Sequence, residues 1–288
     1  MIFIVSLLPN SGILRVGKKY NTSPYGICTL SCIPLRMRPD ERSSVVSQML
    51  FGECFEILKY KTKKWIKILC EWDGSIGWVD AFQVTRITEK QFDAYTGDRS
   101  VALELSQIAF SEQRGINLLL GSSLPLYDGI SFRCAEEKFT YSGQALRPVD
   151  QVWKRDFVEK IARKYLHTPY CLRGRSPFGI DSAGYVQILA KILNVRLPRM
   201  VHDQIQVGEQ IDFVEQARLG DIAFFENKEG EIHHTGFVLD DGMIIHAYGS
   251  VRIDKLDHQG IYHKPLKKYT HHLRVIKRII EIEDKQEV

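Results

Sequence analysis

The sequence predicts an α+β protein in which one or two small all-β modules precede a domain joining a buried helix to β hairpins. Three observations predict it. Short β-type runs broken by turns fill the stretch from about Tyr25 to Ile87. Val186, Leu189, Ala190 and Leu193 recur at helical spacing after Ser182. Two apolar runs, His234 to Leu239 and Met243 to Ala247, flank Asp240-Asp241-Gly242, which suits a hairpin loop.

A chain of 288 residues has room for two or three compact domains, and 44% hydrophobic with 26% charged residues is ordinary for a globular protein. A net charge of +4, evenly scattered, argues against nucleic acid as a partner; Lys61 to Lys64 reads as a solvated turn. Six cysteines without CxxC spacing exclude the usual zinc motifs and are expected to be reduced, structural thiols. No ligand cluster or phosphate-cradling glycine loop is present, so neither a metal nor an organic cofactor is expected. Met1 to Leu8 is apolar but lacks a basic n-region and a small-residue cleavage site, which favours the cytoplasm. A periplasmic or secreted location follows instead if that segment belongs to an export signal. No other run approaches the length of a membrane span.

The expected order along the chain is an N-terminal segment (1–24), a β module (25–87), a second β module or linker (88–148), an α+β domain (149–280) and a charged tail (281–288). Within the first module, Trp65 to Leu69, the Asp73-Gly74 turn and Gly77 to Asp80 read as strand, turn and strand. Lys90 to Ala109 is helix-like in composition. Ile116 to Leu120, Leu124 to Tyr127 and Phe139 to Gly143 read as strands around turns. Asp150 reads as a helix N-cap before Val158, Ile161, Ala162, Tyr165 and Leu166, and Pro169 stops that helix.

Ser182 opens the buried helix, and either it or Asp181 suits the N-cap. Exposed N–H groups and the dipole at that end would lower a thiol's pKa, whereas a serine there needs a general base at every turnover. A three-residue loop pairs Leu239 with Met243 and Gly236 with His246, placing His234 and His246 on one face as diagonal neighbours. His233 then points elsewhere. Gly236 leaves space for a cleft or, more plainly, marks a close-packed strand.

The ordered set Gly179-Ile180-Asp181-Ser182-Ala183-Gly184, Leu197-Pro198-Arg199, Gly220-Asp221, His234-Thr235-Gly236 and Ile245-His246-Ala247 resembles the NlpC-type cell-wall peptidases, which have a papain-like fold. Gly26, Pro34-Leu35-Arg36, Gly52-Glu53, Trp65 and Gly77-Trp78-Val79 resemble a bacterial SH3-like domain. The resemblance implies that Ser182 occupies the position of the catalytic cysteine, with His234 as base and His246 orienting it. It implies a substrate-binding set of Asp181, Tyr170 and Ala183, with Asp181 meeting the substrate's free amine. Leu172-Arg173-Gly174 departs from the family's Trp-Gly-Gly, and Ala183 stands where serine is common.

Three functions follow. Ser182 replaces a natural cysteine in a peptidase that hydrolyses the γ-D-glutamyl to diamino-acid bond of peptidoglycan stem peptides. Alternatively, serine is natural and the domain binds muropeptides or a protein partner without cutting. Thirdly, the fold performs acyl or amide transfer. With Ser182, activity is expected to be weak or absent.

Overall fold

The computed structural model describes residues 23–97 and 99–283. The readings of Met1 to Leu8 and of the end of the tail lie outside these residues. Seven strands make the first module: β1 (Tyr25–Cys28), β2 (Cys32–Arg36), β3 (Val45–Leu50), β4 (Cys54–Tyr60), β5 (Trp65–Cys70), β6 (Ile76–Asp80) and β7 (Val84–Ile87). They pair in the order β3-β2-β6-β5-β4-β1-β7. Ile33, Leu35, Met49, Phe55, Ile66, Ile68 and Val79 alternate inward from five of these strands into one core, so the sheet wraps around it.

A helix, α1 (Glu89–Gly97), follows, and here the structure corrects the sequence reading. The helix ends at Gly97, and the rest of the expected helical stretch forms β8 (Arg99–Ala102) and β9 (Ser106–Phe110). Two β residues, Ile108 and Phe110, stand on the exposed side of β9, and buried Ala109 sits between them; this period of two overrides helix-like composition. Then come β10 (Gly115–Leu119), β11 (Ser123–Pro125), β12 (Ser131–Cys134), β13 (Glu137–Thr140) and β14 (Ala145–Leu146). They form the sheets β10-β9-β13-β12 and β11-β8-β14. Phe51, from the turn after β3, packs edge-on to Phe132 and Phe139 with centroids 5.7 Å from each, which welds the two β units.

The third unit opens with α2 (Arg155–Arg163), one turn later than expected. Asp150 ends a preceding 3₁₀ turn that carries Pro148, and Lys154 is the cap residue. The short strands β15 (Arg175–Ser176) and β16 (Gly179–Ile180) lead into α3 (Ser182–Ile192), which is buried along its whole length. After α4 (Val201–Gln204) come β17 (Glu209–Ile211), β18 (Ile222–Glu226), β19 (Ile232–Val238), β20 (Met243–Tyr248), β21 (Ser250–Asp257), β22 (Gly260–His263) and β23 (Lys268–Arg278). Their order is β17-β23-β18-β19-β20-β21-β22, and β22 also pairs with β23, so six of the strands close into a barrel. Closure removes open edges. Ala223, Phe225, Val238, Ile244, Leu256, Ile261 and Ile276 form the barrel's own core, and α3 packs against β19 and β20.

The first module is bonded to the third through buried charges. Glu53, in the turn before β4, accepts from Arg175 Nη2 (3.0 Å) and Nη1 (3.1 Å) and from Lys191 Nζ on α3 (2.8 Å). Arg175 also donates to Gln48 O at 2.6 Å, and Gln187 of α3 reaches Asp73 at 3.0 Å. Burial alone would raise the Glu53 carboxyl; the two cations outweigh it and hold it down at about 2. All six cysteines are free, and only Cys171 is exposed. Among the described residues, no helix is long and apolar enough to cross a membrane.

Candidate active site

Asp181 is the N-cap of α3: its Oδ1 accepts from Gly184 N at 2.7 Å, and Ser182 is the first helical residue. The same carboxylate accepts from Arg173 N through Oδ2 (2.8 Å) and pairs with buried Arg199 at 2.9 Å. Arg199 thus supports the residue beside Ser182. Gln204 donates to Ala183 O (3.0 Å) and Pro198 O (2.8 Å), tying α4 to the first turn of α3. Ser182 and Ala183 are both about 6% exposed.

The loop from Pro169 to Ile180 connects this turn to the barrel. Tyr170 N donates to Gly249 O at 2.9 Å, just past β20, and Cys171 N donates to Ile180 O at 3.1 Å. The Tyr170 side chain is half-exposed; burial raises its phenol, and the Asp181 carboxylate raises it further. The departure at Leu172-Arg173-Gly174 takes a left-handed turn at Arg173 (φ 65°) and aims its guanidinium at Met200 Sδ (2.6 Å).

The hairpin register is the predicted one. Phe237 faces Ile245, Val238 faces Ile244, and Leu239 N donates to Met243 O at 2.8 Å across a loop whose Gly242 is left-handed at φ 66°. His234 Nε2 and His246 Nδ1 consequently lie 2.8 Å apart with their rings perpendicular, and His233 is exposed. Space beside Gly236 is already filled: a Cβ there would sit 2.6 Å from Ile244 Cδ1 and 3.0 Å from His246 Cβ. The glycine therefore permits close packing of His246 and opens no cleft. Gly236→Ala is expected to cost about 1–3 kcal/mol through overpacking; an unchanged denaturant midpoint would contradict this.

Two residues escaped the sequence reading. Asp254 on β21 accepts from His246 Nε2 at 3.1 Å and is held by Arg252 at 2.6 and 3.0 Å. Burial raises its carboxyl, but His246 and Arg252 together keep it below the ordinary range. His271 on β23 stacks on His234 with centroids 4.0 Å apart. The β20–β21 turn at Gly249 carries a usable signal for Asp254, since the alternation that places His246 places it diagonally across. His271 has no local signal.

Hydrogen-bond logic assigns the tautomers. An ionised Asp254 only accepts, so His246 Nε2 carries its proton and Nδ1 is the acceptor. His234 Nε2 must then donate, which leaves a lone pair on its Nδ1. Burial keeps His234 and His246 neutral, lowering both, with His271 and His246 adding to the effect on His234 and Asp254 opposing it on His246. The arrangement is a neutral base oriented by a second imidazole and a carboxylate.

Family comparison gives two matches along the chain. Residues 167–274 match the NlpC/P60 family, and residues 35–83 match the bacterial dipeptidyl-peptidase SH3 domain, so the chain carries an NlpC/P60 domain behind a bacterial SH3 domain. Among its relatives is a gamma-D-glutamyl-L-lysine dipeptidyl-peptidase of Bacillus subtilis, 24% identical over 234 residues, covering 74% of this chain and 77% of the relative. A probable endopeptidase of Haemophilus influenzae is 29% identical over 132 residues, covering 45% of this chain and 80% of the relative. The solved structure of an NlpC/P60 family protein from Bacillus cereus superposes with a TM-score of 0.75 at 20% identity, over 89% of this chain and 100% of the other. That likeness establishes the papain-like fold with its N-terminal SH3-like domain.

Proposed function

We propose that this chain is a cell-wall peptidase of the γ-D-glutamyl to diamino-acid bond in peptidoglycan stem peptides, with serine at its nucleophile position. The observation that carries the reading is the relay from Asp254 through His246 to His234. In the proposed reaction, His234 Nδ1 takes the nucleophile's proton, the nucleophile adds to the γ-carbonyl, and His234 returns the proton to the leaving amine. Water then releases the acyl group by the same route. The name of the Bacillus subtilis relative supports the substrate class, and that of the Haemophilus influenzae relative supports peptide-bond cleavage. Tyr170, Asp181 and Ala183 would line the substrate's amino end. Asp181 already accepts three bonds, so its role there includes holding Ser182 in place.

A second reading, a muropeptide-binding module, is favoured by Ser182 itself, because a serine hydroxyl is not ionised by a helix terminus at neutral pH. The test is to incubate the protein and its Ser182→Cys variant with L-Ala-γ-D-Glu-diaminopimelate and follow the diamino acid released. Cleavage by the cysteine form supports the peptidase reading. If neither form cleaves and the peptide still binds, the binding module is the correct reading.

A further inference from the structure

We propose that His234, His246 and His271 together form a binding site for a divalent metal ion of the zinc class. One ring nitrogen from each lies within 4.8 Å of the other two, and all three residues are buried. The far nitrogens are anchored as metal-binding histidines require. His246 Nε2 is bonded to the Asp254 carboxylate, and His271 Nδ1 lies 2.9 Å from Thr270 Oγ1, which itself reaches Ile261 O. Those bonds leave His246 Nδ1 and His271 Nε2 as inward-facing lone pairs. A tetrahedral zinc at about 2.0–2.1 Å from each nitrogen needs them about 3.3 Å apart. The His234–His246 pair must open slightly, and the His271 ring must rotate out of its stack on His234 so that both rings point at one ion.

No local spacing marks this site, because its residues sit on β19, β20 and β23. The structure also supplies the reason such an ion would matter. Coordination uses the His234 Nε2 lone pair, so the ring proton moves to Nδ1. The base needed for the proposed hydrolysis is then absent. This consequence rests on the peptidase reading; the site itself does not. Metal occupancy and proton abstraction by His234 exclude one another.

The test uses the full, untagged chain with Ser182 in place, stripped with chelator and titrated calorimetrically with Zn²⁺. One site per chain is expected. His271→Gln should weaken it at least tenfold, and Asp254→Asn, which removes the anchoring carboxylate, by about 10–100-fold. His258→Gln, which changes an exposed histidine in the turn between β21 and β22, should leave it unaltered. Should His271→Gln fail to fold, by its circular dichroism, the visible d–d absorption of Co²⁺ bound to the unmutated chain decides instead. Nitrogen-type tetrahedral bands support the site, and the spectrum of hydrated octahedral Co²⁺ overturns it. Equal Zn²⁺ affinity in folded His271→Gln, or no saturable binding, also overturns it. Because no substrate is present, failure of the peptide assay leaves this result untouched.

Discussion

In the Ser182→Cys background, Asp254→Asn is expected to lower kcat at least tenfold while the fold persists, with an upper bound of about 10⁴-fold, the loss when the aspartate bonded directly to a catalytic imidazole becomes an amide. The cause is the direction of the proton chain. Asp254 Oδ2 accepts from both His246 Nε2 and Arg252 Nε. An asparagine that turns its NH₂ toward His246 forces the opposite tautomer, so that His246 Nδ1 donates and His234 loses its Nδ1 lone pair. One that turns its oxygen there sets NH₂ against Arg252 Nη2 and still removes the charge that stabilises the imidazolium formed at turnover. Asp254 acts through His246 and is thus a positioning residue. Its signature is a loss in kcat with KM little changed, and partial recovery in Asp254→Glu. Equal loss in the asparagine and glutamate variants, or a change confined to KM, would sink the assignment.

Glu53→Gln is expected to destabilise the protein by about 3–5 kcal/mol, because it leaves Arg175 and Lys191 buried without their counter-charge. Side-chain exposures of 2% for Arg175 and 3% for Lys191 give neither cation a route to water. The pH dependence has a defined sign. Glu53 is held at about 2 in the fold, below its ordinary 4.5, so its contribution is complete above pH 4.5 and is lost as the pH falls toward 2. Denaturant unfolding at pH 7 measures the first claim. Repeating it down to pH 3 measures the second, where the gap between variant and parent should have narrowed by more than half. A difference below about 1 kcal/mol at pH 7 would mean that water reaches the cluster.

Local chemistry made the hairpin legible. Asp240-Asp241-Gly242 sets a register, and the register alone brings His234 to His246. The helix bearing Ser182 was equally readable, since its apolar spacing and the preceding aspartate are both local. What escaped depends on partners far along the chain. Arg175 and Glu53 are 122 residues apart, and Lys191 and Glu53 are 138 apart. No spacing rule announces such pairs. His271 reaches His234 only because β23 closes the barrel. The overlong helix after Lys90 failed for another reason: composition was weighed over the alternation in Ser106 to Phe110, which the sheet obeys.

Barrel closure also sets a timetable. Strand β23 pairs with β17, β18 and β22, so the last strand of this sheet in chain order is the one that closes it. A ribosome exposes the SH3 module, α3 and both hairpin histidines before this strand emerges. Until it does, β18 and β22 remain unpaired on one side and the His234 ring lacks the neighbour that covers it. Contacts of such long sequence separation form late and slowly. A chain that lacks β23 would therefore carry the Ser182 turn and the histidine hairpin without His271 and without a closed sheet.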